Sequence, residues 1–488
     1  MAISFDFVPN DIRVPGAYFE ISNTNAVRSL PGMPSRILVH GQMLPSGTAT
    51  PLVPIQIIDA RRAEGLFGRG SQLHRMFAAL KKNNSYTETW AIPQLDSGAG
   101  VAAGGIISFG GTVTLSGTLN VYIAGQRVRV AVSAGESAAE TAGAVAQTIN
   151  LMTDLPVTAS AAGSQVSLAA RHRGINGNFI DVRVNYYSGE DLPRGRTVTI
   201  TPMSGGSGNP DIGDAIASYG DTWWTDIIVA WTDPATFAAI EEEVADRFGP
   251  LVMRDAHVYT AASGSHATLT TLASARNSPH VTILGVQGSP TPPEEWAAAL
   301  GAVCAYYSRL DQARPLQTLA MQGLLPPVTS DRFTWAERNL LLFSGIATFT
   351  VDDAGVPRTE RVITTYQTNN LGVDDISYLD LETLKTVAYI RYVVRARIAL
   401  RFPRHKLAND GTQFASGQAI VTPSTVRGEL LALFRELEDV GIVEGFSQFK
   451  QDLIVERDLN DPNRVNCLIP PDIINQLRVV AGSVKFLL

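Results

Sequence analysis

The sequence predicts a multi-domain α/β protein: an α/β sheet core domain, a mostly-β insertion domain, and an α+β C-terminal domain with extended N- and C-terminal arms. Three observations lead there. Strand-like runs alternate with amphipathic helical runs on both sides of a central stretch, the order expected of a largely parallel sheet covered by helices. That stretch is bounded by two Gly-rich segments, LDSGAGVAAGG at 95–105 and MSGGSGNPD at 203–211, which read as the seams of an insertion. From about Thr334 the pattern changes to a helix, a hairpin, two long helices and final strands. The expected boundaries are an arm at 1–30, a core domain at 31–97 and 206–330, an insertion at 98–205 and a C-terminal domain at 331–488, whose last strand is 476–488.

In chain order, RILVHGQM and VPIQIID read as strands, SQLHRMFAALKKN as a helix and TETWAIP as a strand. Inside the insertion, Leu119, Val121 and Ile123 alternate, as do Val128, Val130 and Val132, and later Ile180, Val182 and Val184. One helix interrupts them. Ser137 and Glu140 form a capping-box pattern at its start, and Ala138, Ala142, Val145 and Ile149 make its apolar stripe. After the second seam, TDIIVAW is a strand, Asp233-Pro234 a cap with proline at the first helical position, and Phe237, Ile240, Val244 and Phe248 one buried stripe. Strands AHVYTAA and HVTILGV follow, separated by the helix HATLTTLASAR. In the last part, ERNLLLFSG is a helix and IATFTV-DDAG-VPRTERVITTY a hairpin, and long helices span 379 to about 402 and 425–440.

Composition narrows the function. The chain has 488 residues, 45% hydrophobic and 17% charged, enough for roughly two to four domains. A net charge of -7 argues against direct nucleic-acid binding driven by global charge. Two cysteines, Cys304 and Cys467, make neither a disulfide framework nor a thiolate metal cluster, so a reduced, cytosolic folding environment is expected. MAISFDFVPNDIRVPG lacks the basic and apolar regions of a secretory signal, and no run of about 18 apolar residues suggests membrane insertion.

The chemistry-bearing motifs are weak. GAGVAA at 98–103 fits G-x-G-x-x-A but leads into a strand, where no helix N-terminus can hold a pyrophosphate. GRGSQL at 68–73 precedes a helix without a P-loop lysine, so an ordinary helix start is the better reading. The histidines at 40, 74, 172, 257, 266, 280 and 405 lack ligand spacing, and no nucleophile motif accompanies them. Asp352-Asp353, Asp374-Asp375 and DLNDPN at 458–463 fit turn chemistry better than calcium ligation. Glu241, Glu242 and Glu243 read as a solvated helix face. No catalytic residue, cofactor or metal is expected. One charged feature keeps two readings: Arg391, Arg395, Arg397 and Arg401, followed by Arg404 and Lys406, either pair with acids of their own domain or face an acidic partner.

VPGAY at 14–18 resembles the N-terminal arm of contractile phage tail sheath proteins, and FGRGSQLHRM at 67–76 resembles a segment of their Mu-like branch. The order of the remaining elements is similar over the whole length. The resemblance implies a non-enzymatic subunit of stacked hexameric rings that form a helical sheath around a tail tube protein. Baseplate and tail terminator proteins would be further partners, and contraction would drive the tube through the host envelope. It further implies a C-terminal domain innermost, with Arg391, Arg395, Arg397 and Arg401 as possible tube contacts, and an insertion outermost. The subunit would be assembled in the bacterial cytoplasm and end in the virion.

The resemblance also implies that both arms add strands to C-terminal domains of neighbours. The residues agree with that. Pro15 stiffens the first arm, Gly16 lets it bend, and Val14, Tyr18, Phe19 and Ile21 supply grip. In the last segment, Leu477 and Val479 share one face, Gly482 permits a bulge, and Val484, Phe486 and Leu488 share another, with Val480 between. Such an apolar edge on a monomer templates aggregation, whereas as a donated strand it is a specific joint. Alternatives are the sheath of a phage-derived bacteriocin or other contractile injection system, a non-contractile shell, and an α/β enzyme with a pocket at its strand C-termini.

Overall fold

The computed structural model describes residues 13–19, 30–415 and 417–487. It divides into two compact units, 34–384 and 385–488 together with 1–33, and the division falls inside the helix Leu381–Arg401.

The larger unit is built on an eight-stranded sheet. Its strand order is Pro357–Arg361, Ile346–Val351, Val281–Val286, His257–Ser263, Asp226–Val229, Arg36–Gln42, Glu88–Gln94 and Ile55–Gln56. The inner pairings are parallel, and an antiparallel strand closes each end. The central strands read IVLT-rich and buried at every position, as a sheet covered on both faces requires. On one face lie the helices Gln72–Asn83 and Pro293–Leu310, packed together. Gly301 lets the second approach closely, since a Cβ there would stand 2.6 Å from Ile228 Cγ1. The helices His266–Ser274 and Trp335–Phe343 pack on each other and on Ile346–Val351. They lie on the opposite face, as the right-handed crossovers Asp226–Val229 to Val281–Val286 require.

The hairpin at 346–361 differs from the expectation from sequence. It does not belong to a separate domain beginning at 331. Ile346 and Ala347 pair in parallel with Ile283 and Leu284, extending the main sheet. The long proline-containing connection at 311–333 hid this crossover, because it separates the helix Pro293–Leu310 from the shorter Trp335–Phe343 by more than a usual loop.

The stretch between the seams has its own core. A four-stranded sheet (Thr197–Ser204, Ala102–Gly110, Gln165–Arg173, Val157–Ala162) and a three-stranded one (Gln126–Val132, Gly117–Ile123, Val182–Val184) enclose the helix Ala138–Leu151. The capping box forms as read, with Ser137 and Glu140 satisfying each other's backbone donors. Thr141, Ala142, Val145, Ala146 and Ile149 are buried, with Ala138 at the margin.

Polar contacts weld this insertion to the sheet. Arg75 Nη2 donates to Glu294 Oε1 at 2.6 Å, and Nη1 lies 3.2 Å from Glu295 Oε1. From the insertion, Asn176 Nδ2 donates to Glu294 Oε2 at 3.2 Å and to the Ala230 carbonyl at 2.8 Å. Nearby, Gln42 Nε2 donates to Asp96 Oδ1 and to the Arg173 carbonyl, while Arg69 grips Asp154 through two bonds. Gly70 explains its own glycine: φ is +78° and a Cβ would meet the Thr153 carbonyl oxygen at 2.5 Å.

Arg75→Met leaves two carboxylates uncompensated and should cost about 3–5 kcal/mol, read from the denaturant midpoint. Burial lifts Glu295 to about 7, against the pull of Arg75. That lies above the roughly 4.3 of an exposed glutamate, so the folded chain retains a proton the unfolded chain has lost. Stability should therefore fall as pH rises from about 4.3 to 7 and then level off. Glu295→Gln should flatten that slope in thermal melts across the range.

Candidate assembly site: two arms and an open hairpin

In the smaller unit, Thr422 caps the helix Pro423–Asp439, whose stripe Val426, Leu430, Leu433, Phe434 and Leu437 is buried. Phe434 stacks on Phe449 of the helix Phe446–Asp452 with ring centroids 4.0 Å apart, and Arg435 covers the Phe446 ring. Against the long helix lies an antiparallel hairpin, Ile454–Arg457 with Val465–Leu468, in the register Ile454–Leu468 to Arg457–Val465. Among the described residues no third strand pairs with either edge. Ile454 and Leu468 are exposed there.

The turn of this hairpin is built by Asp458. Its Oδ1 accepts from the amides of Asn460 and Asp461, and its Oδ2 from Asn466 Nδ2 at 2.8 Å. DLNDPN is thus a turn whose first carboxylate is already used by the chain.

The arms carry the complementary feature. After Asp472–Ile473, which pairs with Val443–Glu444, residues 474–487 form no strand. The sequence led us to expect a strand at 476–488; among the described residues, 476–487 pair with no strand of this chain. Val479 and Val480 are each 81% exposed, Val484 93% and Phe486 76%. A Cβ on Gly482 would meet nothing within 4 Å, so the space around it is open. At the other end Val14, Pro15, Gly16, Tyr18 and Phe19 are exposed, with the Tyr18 hydroxyl donating to the Val14 carbonyl. Ile21 and Leu488 lie outside the described residues.

The arginine helix divides. Arg397 pairs with Glu429 and Glu436, and Arg401 Nε lies 3.5 Å from Glu429 Oε2, so these two are used within their own unit. Arg395 is exposed and Arg391 half-buried.

Two arrangements that resemble catalytic or anion sites use their polar groups within the chain. Asp96 and His172 make a carboxylate–imidazole pair at 2.8 Å, but His172 Nε2 accepts the amide of Gln72 at 3.1 Å and has no lone pair left for a substrate proton. In GRGSQL, Ser71 Oγ takes the His74 amide and His74 Nδ1 takes that of Gly70. The donors an anion would need are already bound. The open hairpin itself was missed from sequence, although IVER and RVNCL on either side of a DLNDPN turn carry its signal.

Hydrogen bonds from Asn466 and from the amides of Asp461 and Asn460 hold the Asp458 carboxyl down to about 2. The ionised form is favoured by folding, so its contribution is present above the ordinary carboxylate value and is lost as pH falls toward 2. Asp458→Ala should fray the hairpin at neutral pH, measured as severalfold faster amide exchange at 454–457 and 465–468. Unchanged exchange would remove Asp458 as the turn's organiser.

Comparison with known proteins agrees with this architecture. Residues 205–365 match the phage tail sheath protein central domain, and 373–486 the phage tail sheath C-terminal domain. The Mu-like prophage FluMu tail sheath protein of Haemophilus influenzae is 43% identical over 488 residues, covering 100% of both chains. Among solved structures, a chain of the anti-feeding prophage baseplate in its contracted state superposes with a TM-score of 0.50 at 11% identity, over 97% of this chain and 98% of that one. A sheath tail protein of Desulfitobacterium hafniense gives 0.48 at 14% identity, over 94% and 100%. The match at 0.50 speaks to fold alone; the full-length relative and the two matched domains show that the chain belongs to the phage tail sheath family, in its Mu-like branch, as a contractile tail sheath protein.

Proposed function

We propose that each subunit lends its C-terminal arm, 476–488, as a strand to the hairpin Ile454–Arg457/Val465–Leu468 of a neighbour, and that its N-terminal arm adds to such a sheet likewise. Repetition of these joints builds stacked hexameric rings around a tail tube, in a virion tail ending at a baseplate and a terminator. Contraction of the lattice drives the tube through the host envelope. The observation that carries this reading is the match of two features among the described residues: an exposed apolar arm, Val479 to Phe486, that forms no strand, and a two-stranded hairpin with no third strand on either edge.

Strand addition suits the task. Backbone hydrogen bonds of about 0.5–1.5 kcal/mol each fix the joint, and apolar side chains alternating along the arm fix its register. One arm is weak, but two per subunit make the polymer multivalent. No nucleotide is required during firing, because the work is stored at assembly in contacts that have two arrangements. The helix that carries Arg391, Arg395, Arg397 and Arg401 is the proposed tube contact, with Arg397 and Arg401 also paired to Glu429 and Glu436.

Negative-stain microscopy should show hollow tubes from the full chain and only small soluble species from a chain truncated after Asn475. Tubes from both would sink the donated C-terminal strand. Charge reversal at Arg391 and Arg395 should leave the sheath polymer intact and abolish its co-assembly with the tube; undisturbed co-assembly would remove them from the tube interface.

A further inference from the structure

Assembly by strand exchange carries a hazard, because any other unpaired sheet edge can take the arm or pair with its own copy. Most edges of the unit 34–384 are closed by familiar means. On the main sheet, segment 318–321 bonds to the outer side of Pro357–Arg361, and Ile55–Gln56 is two residues long. In the insertion, Gln126–Val132 presents the exposed Arg127 and Arg129, and Val182–Val184 has three residues. Thr197–Ser204 carries Pro202 and a break in its register. The remaining edge is Val157–Ala162. It reads VTASAA, pairs with Gln165–Arg173 in unbroken register, and holds neither charge nor proline.

One side chain meets this edge. The Pro156 carbonyl accepts from the Arg171 amide and pairing alternates from there, so Val157, Ala159 and Ala161 turn their backbone groups outward. Asn150 stands on the last turn of the helix Ala138–Leu151. Its Nδ2 donates to the Ala159 carbonyl at 2.7 Å, and its Oδ1 accepts from the Ala159 amide at 2.9 Å. The carboxamide thus makes at Ala159 the two bonds that a neighbouring strand would make, offering donor and acceptor together as a peptide group does.

We infer that Asn150 guards this edge: it occupies the backbone groups an incoming strand needs, and so confines strand exchange to the hairpin at 454–468. The inference rests on the proposed function for what is excluded, and on the two hydrogen bonds for how. Ala159 is the middle of the three outward positions, so with it taken an arm can bond only at Val157 or only at Ala161, and no continuous ladder forms. Service to its own helix does not explain the residue. The groups left over at a helix C-terminus are carbonyls, whereas Asn150 spends both its donor and its acceptor on the strand.

Photocrosslinking tests this on the full-length chain. The probe is a synthetic peptide of residues 476–488 with a benzophenone in place of the Phe486 ring, present in excess during assembly, and a scrambled peptide gives the background. Labelled segments are mapped by mass spectrometry. The unmodified chain is expected to label within 454–468 and to stay at background at 157–163. Asn150 is exposed, so Asn150→Ala should fold. It should raise labelling at 157–163 roughly tenfold or more, with the hairpin labelled as before. Asn150→Asp keeps the acceptor, loses the donor, and should fall between. Variants labelled at the hairpin alone, or an unmodified chain labelled at 157–163, would overturn the guard and leave strand exchange standing. No label at the hairpin in any chain would overturn strand exchange, and no label at either segment would overturn both. Label spread over all of 98–205 in both variants would make Asn150 a support of the insertion's fold, and the guard would fall.

Discussion

A strand edge with unpaired amides and carbonyls is the constraint on which the rest depends. The unit 34–384 meets it alone: segment 318–321 bonds to the outer side of Pro357–Arg361, and the other end strand, Ile55–Gln56, is only two residues long. The unit 385–488 does not. Its described β-structure consists of three two-stranded pairs, Lys406–Leu407 with Ile420–Val421, Val443–Glu444 with Asp472–Ile473, and the hairpin at 454–468. Two strands are marginal in water, and this hairpin persists because it lies on the helix Pro423–Asp439 and because Asp458 ties its turn. The same unit holds this open-edged hairpin and, in Val479, Val480, Val484 and Phe486, an exposed apolar segment that forms no strand. Under the proposed strand exchange, polymerisation would satisfy both.

Much of this was legible in the sequence, for identifiable reasons. The Asp226–Val229 strand and the Pro234–Phe248 helix were readable because cap, proline and apolar stripe all agree. The stretch between the two compositionally distinct seams has a buried core of its own. The hairpin at 346–361 was assigned to the wrong sheet, because a strand's sequence states its burial but not its neighbour, and a long connection removed the cue of proximity. The arms were readable as apolar ends. Their acceptor was not, since Ile454–Arg457 and Val465–Leu468 are four residues each and their alternation is weak. Arginine spacing likewise placed four cations on one helix but could not show that two of them face Glu429 and Glu436.

The glycine motifs show how function and packing compete for one signature. GRGSQL resembles an anion loop because glycine before a helix is what a phosphate needs. Here Gly70 admits the backbone of the insertion, and the amides that follow are taken by Ser71, His74 and His172. Together with Arg75, Glu294 and Asn176, this segment makes the insertion and the sheet one body. A welded insertion transmits motion of the sheet without absorbing it.

That rigidity bears on where contraction can find its energy. If strand joints persist while subunits reorient, their hydrogen bonds are the same in number before and after, and they contribute little to the difference between the two lattices. They hold neighbours together and conserve register. The difference has to come from surfaces that are apart in one lattice and together in the other, and burial of apolar area supplies about 25 cal/mol per Å² for such a change. At that rate each 100 Å² of apolar surface newly buried contributes about 2.5 kcal/mol per subunit before the costs of ordering and desolvation. Even a fraction of that, repeated through every ring, biases the lattice strongly. On the proposed function the arms keep the sheath whole, so the work of contraction has to come from other surfaces, ones that the two lattices bury to different extents.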